Sequence, residues 1–389
     1  MLKFEKFSGI DNVAQAHRLT KDQLTVAENV DIGLSGEIFR RGGYSSASDV
    51  CHKNVWQGSG FMLATTDGGD LAVTTGATQT VLYASLGVAR VWYCNLPDGR
   101  TTFSNGLING ITDGAVTTKW GVPIPTGIGA ATDVAGSLHP GSYQYQVTHV
   151  RSVDGLEGPP AYSNPVPLPS GGVVLTGLPV LAGHTTNVYI TGRDGGTGYY
   201  AGNTANALFS FTGTNEQLVL PCRTEFLDAM PVGTVTAFWR GRTLVAVGPT
   251  LYASQPSQWE LCDMRKNFKQ FSGDITLIQP VDGGIFVGTT KELAFLGGTE
   301  FDKLSYEPKV VGSVVLGSGV SVRGELIKQR EGAALGTAMI CIADGVLTAG
   351  YSDGNVVRMT EGRYETTATE VAATFRMIDR IPQYIAIPQ

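Results

Sequence analysis

The stretch 337-TAMICIADGVLTAGYSDGNVVRMTEGRY-364 decides the fold class. The apolar run TAMICIA meets Asp344-Gly345, VLTAGY follows and meets Asp353-Gly354, and the short run NVVRMT comes after. Asp-Gly favours positive φ in tight hairpin turns, so β-branched runs on either side of it read as antiparallel strands. The same grammar recurs along the chain. Asp-Gly occurs eight times, with its aspartates at Asp67, Asp98, Asp113, Asp154, Asp194, Asp282, Asp344 and Asp353, and Asn105-Gly106 and Asn109-Gly110 add two more turns. Strand-like runs such as 61-FMLATT-66, 91-VWYCNL-96, 144-QYQVTHV-150 and 285-IFVGTT-290 flank most of them. Only 20-TKDQLTVAENV-30 reads as helix, two or three turns with Thr20 as N-cap and Gln23 three positions on. The expectation is an all-β chain with helix confined to short pieces near 20 to 30.

Composition agrees with a folded, turn-dense protein. Among 389 residues, 51 are glycine and 18 proline, 42% are hydrophobic and only 16% are charged, which argues against disorder. A net charge of −6 gives no electrostatic footprint for gripping nucleic acid. The five cysteines, Cys51, Cys94, Cys222, Cys262 and Cys341, are scattered without a C-x-x-C. That pattern predicts free thiols in a reducing compartment, with neither a disulfide framework nor a structural zinc site. The opening MLKFEKFSGIDN has no apolar core of a signal peptide, and no run of eighteen apolar residues predicts a membrane span.

Residues 121-GVPIPTGIGAATDVAG-136 carry a single charge and read as a linker or crossover into a separate module. From 137 to 220 six or seven short strands are expected, among them 141-GSYQYQV-147, 173-VVLTGLPV-180, 187-NVYITG-192 and 208-LFSFTG-213. Their size and rhythm suit a fibronectin type III-like β-sandwich. On either side, 237-AFWRGRTLVAVGPTLYASQP-256, 274-DITLIQPVDGGIFVGTTKELAFLGG-298 and 337–364 repeat a shape more than a sequence, each like part of a propeller blade. The expected organisation is a β-propeller-like body in two parts, 1–136 and 221–389, interrupted by the sandwich at 137–220. A pair of stacked sandwiches predicts much the same sequence.

Catalytic patterns are sparse. Gly196-x-Gly198-x-x-Ala201 matches a relaxed dinucleotide fingerprint but lies between a hairpin turn and the strand-like Tyr199-Tyr200 pair, where no helix opens. There is no phosphate loop, no H-E-x-x-H and no G-x-S-x-G. His17, His52, His139, His149 and His184 have no metal-ligand spacing, and Asp67, Asp70, Asp344 and Asp353 read as turn formers, not calcium ligands. Trp56, Trp92, Trp239, Phe238 and Tyr252 fall inside strand-like runs and are expected in packing. The expectation is a non-enzyme without cofactor or metal.

The most specific feature is the opening segment: Gly9-Ile10-Asp11-Asn12, then Leu19 and Leu24, then 27-AENVDIGLSGEIFRRGGY-44. It resembles the start of a family of bacteriophage tail structural proteins, the nozzle or packaged-DNA stabilization proteins of short-tailed phages. Lys119-Trp120-Gly121-Val122-Pro123, 141-GSYQYQVTHVRSVDGLEGPP-160, 242-RTLVAVGPTLYASQPSQWE-260 and 279-QPVDGGIFVGTTKELAFLGG-298 extend the likeness over most of the chain. The resemblance implies a virion protein, made in the host cytoplasm, that forms a homo-oligomeric ring, a hexamer in the family. Such a ring retains packaged DNA, conducts it at ejection without sequence-specific binding, and contacts neighbouring tail or adaptor proteins. The chain is shorter than many nozzle subunits, so a distal gate or fibre-docking extension is not implied.

Read from residues alone, Val30–Ile32 and Ile38-Phe39 form a short hairpin closed by Ser35-Gly36. Asp11, Asn12, Asn29, Asp31, Arg40 and Arg41 are then candidates for strand closure or a subunit contact. A solvated turn edge is the alternative for the two arginines. Two other functions compete with the ring: host adsorption through the loops at Asp154-Gly155 and Asp194-Gly195, and a tail-borne glycan hydrolase.

Overall fold

A computed structural model of the chain describes residues 7–33, 36–43, 45, 49–327, 336–378 and 381–389. Strands dominate it. Among the described residues, helix is limited to single 3-10 turns at Ala16–Arg18, Asn215–Gln217, Phe301–Lys303 and Gly324–Leu326, and no helix is long and apolar enough to cross a membrane.

The chain opens with β1 (Gly9–Ile10) and β2 (Gln23–Leu24), which pair in parallel, and with the antiparallel hairpin β3 (Val30–Ile32) and β4 (Ile38–Arg40). The expected helix at 20–30 does not form. Thr20 N–H does donate to Gln23 Oε1 at 3.0 Å, half of a capping box, but Leu24 carbonyl accepts from Asp11 N–H and Asp22 carbonyl from Ser8 N–H. The backbone groups that a helix would use internally are bonded to the preceding strand. Val26 is exposed, so the segment has no apolar face to bury, and a helix this short is marginal without one.

Two four-stranded antiparallel sheets follow: β5 (Lys53–Gln57), β6 (Met62–Thr65), β7 (Leu71–Thr75) and β8 (Thr78–Tyr83), then β9 (Trp92–Asn95), β10 (Thr101–Ser104), β11 (Asn109–Thr112) and β12 (Thr117–Thr118). The chain then enters a nine-stranded module: β13 (Ala130–Ala135), β14 (Gly141–Tyr143), β15 (Tyr145–Arg151), β16 (Ala161–Tyr162), β17 (Val166–Leu168), β18 (Gly171–Thr176), β19 (His184–Thr191), β20 (Gly198–Thr204) and β21 (Leu208–Phe211). Its sheets run β13-β18-β21, β14-β17 and β16-β15-β19-β20. Leu138, Tyr145, Val147, Leu175, Val188 and Ile190 share a core private to the module. Because β13 pairs with β18 along its whole length, the module's first strand precedes residue 137, inside the segment 121–136 whose Pro/Gly texture reads as a linker or crossover.

After the module, β22 (Asp228–Ala229) pairs with β26 (Leu261–Cys262), and a four-stranded sheet is made by β23 (Thr234–Trp239), β24 (Arg242–Val247), β25 (Thr250–Ala253) and β27 (Phe268–Gln270). Two more complete the series: β28 (Ile275–Val281), β29 (Gly284–Thr289), β30 (Glu292–Gly297) and β31 (Ser305–Val311), and β32 (Val320–Arg323), β33 (Thr337–Ala343), β34 (Val346–Gly350) and β35 (Val356–Arg358). A two-stranded hairpin, β36 (Val371–Ile378) and β37 (Ile381–Pro388), ends the chain. Local chemistry drives these meanders. Arg240-Gly241 between β23 and β24 and Asp344-Gly345 between β33 and β34 have φ of 45° and 78°, and 51° and 72°, the positive pair whose twist matches flanking strands.

The sheets pack face to face through apolar strands. Leu244, Leu251, Ile278, Ile285, Val287 and Ala294 join the third and fourth sheets in one core, and Phe286, Leu293, Met339 and Cys341 join the fourth and fifth. The first strands β5, β9, β23 and β28, together with β36, border a common cavity of about 800 Å³. Of the expected packing aromatics, Trp239 is buried, while Trp56 stacks on Tyr93 at 5.8 Å and Phe238 sits edge-on to Trp259 at 5.7 Å.

Candidate functional site

The six residues singled out from the opening segment fall into two groups. Asp11 is buried, and its Oδ1 accepts from the N–H groups of Val13 at 3.2 Å and Ala14 at 2.9 Å while Oδ2 accepts from Gln23 Nε2 at 3.2 Å. It fixes the turn that follows β1. Asn12 then reaches the far end of the chain: its N–H donates to Arg363 carbonyl at 2.9 Å, its Nδ2 donates to Glu365 carbonyl at 2.8 Å, and its Oδ1 accepts from Glu365 N–H at 2.9 Å. An amide side chain offers a donor and an acceptor at once, and here both are used on one backbone unit.

The second group lies on the β3–β4 hairpin. Asn29 adopts a φ of 56° and its carbonyl accepts from Arg41 N–H at 3.0 Å. Arg41 Nη2 and Asp31 Oδ1 are 3.0 Å apart, with side chains 45% and 37% exposed. Arg40 is exposed and has no ion pair among the described residues. The adjacent arginines therefore differ: Arg41 closes the hairpin and Arg40 faces solvent. Ser35 and Tyr44 of the same motif lie outside the described residues.

A second constellation joins the module to the body and left no sequence signal. Arg151, the last residue of β15, places Nη2 2.8 Å from Glu260 Oε1 and 2.6 Å from Asp154 Oδ2, and its Nη1 donates to Lys119 carbonyl at 3.1 Å. Arg100, in the turn between β9 and β10, adds Nη1 at 3.0 Å from Glu260 Oε1, and Gly121 N–H donates to Glu260 Oε2 at 2.9 Å. Burial works against the charge on Arg151, but hydrogen bonds to Asp154 and Glu260 outweigh it and push the guanidinium further up its range. Burial likewise works on Asp154, and the Arg151 hydrogen bond outweighs it to hold the carboxyl below its ordinary value. The cluster was not legible because Glu260, which shares Arg151 with Asp154, is remote from both in sequence.

This geometry also alters the expected receptor surface. In the β15–β19 register Arg151 opposes His184 and Tyr145 opposes Ile190, and Asp194 N–H bonds to Ser142 carbonyl. The Asp154 loop and the Asp194 loop thus stand at opposite ends of the module, the former tied to the body by its ion cluster. They do not form one surface.

Arg90 and Glu370 line the cavity bordered by the first strands. Arg90 Nη1 lies 2.8 Å from Glu370 Oε1 and donates to Val371 carbonyl at 3.0 Å, an approach that a side chain at Gly317, with φ of 76°, would obstruct. Thr236 Oγ1 is buried there without a hydrogen-bond partner. Among the described residues no group of three His, Cys, Asp or Glu side chains is placed to hold a metal ion.

No protein-family model matches the chain, and no curated protein matches it. Among solved structures, it is similar to BBS1N in a complex with ARL6DN, at 10% identity and a TM-score of 0.33, over 88% of this chain and 91% of that one. The extracellular domain of a putative one-component system from B. thetaiotaomicron gives 7% identity and a TM-score of 0.33, over 97% of this chain and 47% of that one. The fission yeast SREBP–SCAP binding domains give 8% identity and a TM-score of 0.31, over 90% and 93%.

Proposed function

We propose that this chain is a non-enzymatic structural subunit of a bacteriophage tail, assembled with copies of itself into a ring that retains packaged DNA and conducts it at ejection. In this reading the five four-stranded sheets and the β36–β37 hairpin are the blades of a propeller-like body, and the β13–β21 module is an inserted fibronectin type III-like sandwich. The observation that carries it is the clasp of Asn12 on residues 363–365. The segment whose motif resembles the tail proteins uses Asn12 to tie the start of the chain to the loop between β35 and β36, while Asp11 sets the turn next to it. The low charge content favours contact between subunits, since buried interface cores are depleted of charge. The net charge of −6 suits a wall along which phosphate slides.

Electron microscopy and sedimentation of the purified protein test the reading. A closed ring many times the mass of one chain is expected. A monomer or trimer that binds host cells points instead to adsorption, and depolymerised surface glycan to a hydrolase; either result overturns the proposal.

A further inference from the structure

The cavity of about 800 Å³ bordered by β5, β9, β23, β28 and β36 has the volume of a small-molecule pocket, and such pockets combine aromatic or apolar walls with a few placed polar groups. Trp56 and Trp92 both line it. Trp56 is held from two sides: its ring stacks on Tyr93 with the planes 18° apart, and its Nε1 donates to Asn95 Oδ1 at 2.8 Å. The residue is still 37% exposed, so the stack leaves part of a rigid indole uncovered. Trp92 packs against the core of the third and fourth sheets, yet its indole N–H makes no hydrogen bond among the described residues. Packing alone explains Trp92's buried side and leaves the uncovered part of Trp56 without a role.

The polar groups of the wall divide into those the chain already uses and those left over. The ring nitrogens of His52 face Gln79 Nε2 and Gly76 carbonyl at 3.0 and 3.2 Å. Asn54 bonds to Thr65, Ala89 and Val91, and Lys53 lies 3.5 Å from Asp67. Left over is Gln279, whose amide makes no hydrogen bond among the described residues, and with it Glu370 Oε2, which accepts none there. Arg90 bonds through Nη1 to Glu370 Oε1 and Val371 carbonyl, so the pair's opposite charges cancel while polar atoms stay free. Glu370 is also the one carboxylate side chain among the described residues of this wall.

We propose that this cavity binds a short neutral oligosaccharide, with one sugar ring on Trp56 and its hydroxyls on Glu370, Arg90 and Gln279. A sugar ring has an apolar C–H face that suits an indole, and each hydroxyl donates and accepts, matching a carboxylate oxygen, a guanidinium and a free amide together. A cancelled ion pair offers a charged ligand no net attraction. Hydrolysis of a glycosidic bond takes two carboxyl groups and the wall supplies one, so the saccharide is bound and not cleaved. The ring reading does not enter, because each chain carries its own cavity.

The test uses the full chain with three neutral probes, maltotriose, cellotriose and triacetylchitotriose, followed by saturation-transfer NMR and by tryptophan fluorescence. Binding of at least one is expected. Trp56→Ala should weaken it about tenfold, the size of one aromatic stacking contact. Ala372 is exposed on the cavity wall, so Ala372→Trp should melt like the parent and block binding by filling the space. Trp259 does not line the cavity, and Trp259→Phe should bind as the parent does. Failure of all three probes overturns the proposal, and binding that survives Ala372→Trp overturns the location. Tighter binding of adenosine or glucose phosphate than of every neutral saccharide overturns the ligand class.

Discussion

Arg151 and Glu260, 109 residues apart in sequence, meet at 2.8 Å with side chains only 5% and 3% exposed. One belongs to the module and the other to the body, so this pair fixes how the two are joined. Its stability logic is asymmetric: a buried pair contributes little over a well-packed apolar substitute, while removing one partner strands a charge.

Arg151→Ala is therefore expected to cost about 3–5 kcal/mol, read from urea unfolding. Adding Glu260→Gln to Arg151→Met should recover most of that loss, because Gly121 N–H keeps an acceptor, the buried carboxylate is gone, and Asp154, which is partly exposed, keeps Arg100 at 3.6 Å. A loss below about 1 kcal/mol in the single variant, the range of exposed pairs, would mean that water reaches the cluster.

Asn12→Ala removes two side-chain hydrogen bonds to Glu365, each worth about 0.5–1.5 kcal/mol. Amide exchange at 363–366 should accelerate in that variant. Arg40→Ala should change neither stability nor exchange, and Arg41→Ala should cost no more than about 1 kcal/mol, since its pair with Asp31 is largely exposed. Equal effects from Arg40→Ala and Asn12→Ala would refute the division of roles.

His149 supplies a pH dependence. Its ring is buried with Nδ1 unpartnered, and burial, followed by the neighbouring His184, holds it below the ordinary value of 6.5. The unfolded chain then binds the proton more readily, so stability is complete above pH 6.5 and falls as pH drops below it. Urea midpoints at pH 7 and pH 5 should differ more in the parent than in His149→Gln. Parallel shifts in the two proteins would assign the dependence to other groups.

The thiols divide by burial. Cys51 is exposed, whereas burial pushes Cys94, Cys262 and Cys341 up to about 12 and raises Cys222. Since thiolate is the reactive form, a thiol reagent at neutral pH should modify Cys51 rapidly and the other four only after denaturation. Fast modification of two or more in the native protein would show that one of the buried sites opens.

The sequence by itself determined what is local. Turn dipeptides select hairpins, and apolar runs between them make strands, so the all-β class and the β33–β34–β35 meander of 337–364 were legible from short-range sterics. The Asp11-Asn12 pair was legible as a feature, since polar residues among apolar ones need fixed partners, but its partner at Glu365 was not. The tertiary structure decided everything that depends on long-range pairing. It kept 20–30 out of helix and put Gln23–Leu24 into a strand, because Ser8 and Asp11 supply backbone partners across a parallel ladder. It brought Glu260 to Arg151, and it separated the roles of Arg40 and Arg41, adjacent residues of the same type. Hydrogen bonds and ion pairs depend on distances of about 3 Å, and only a folded chain brings residues far apart in sequence to that range.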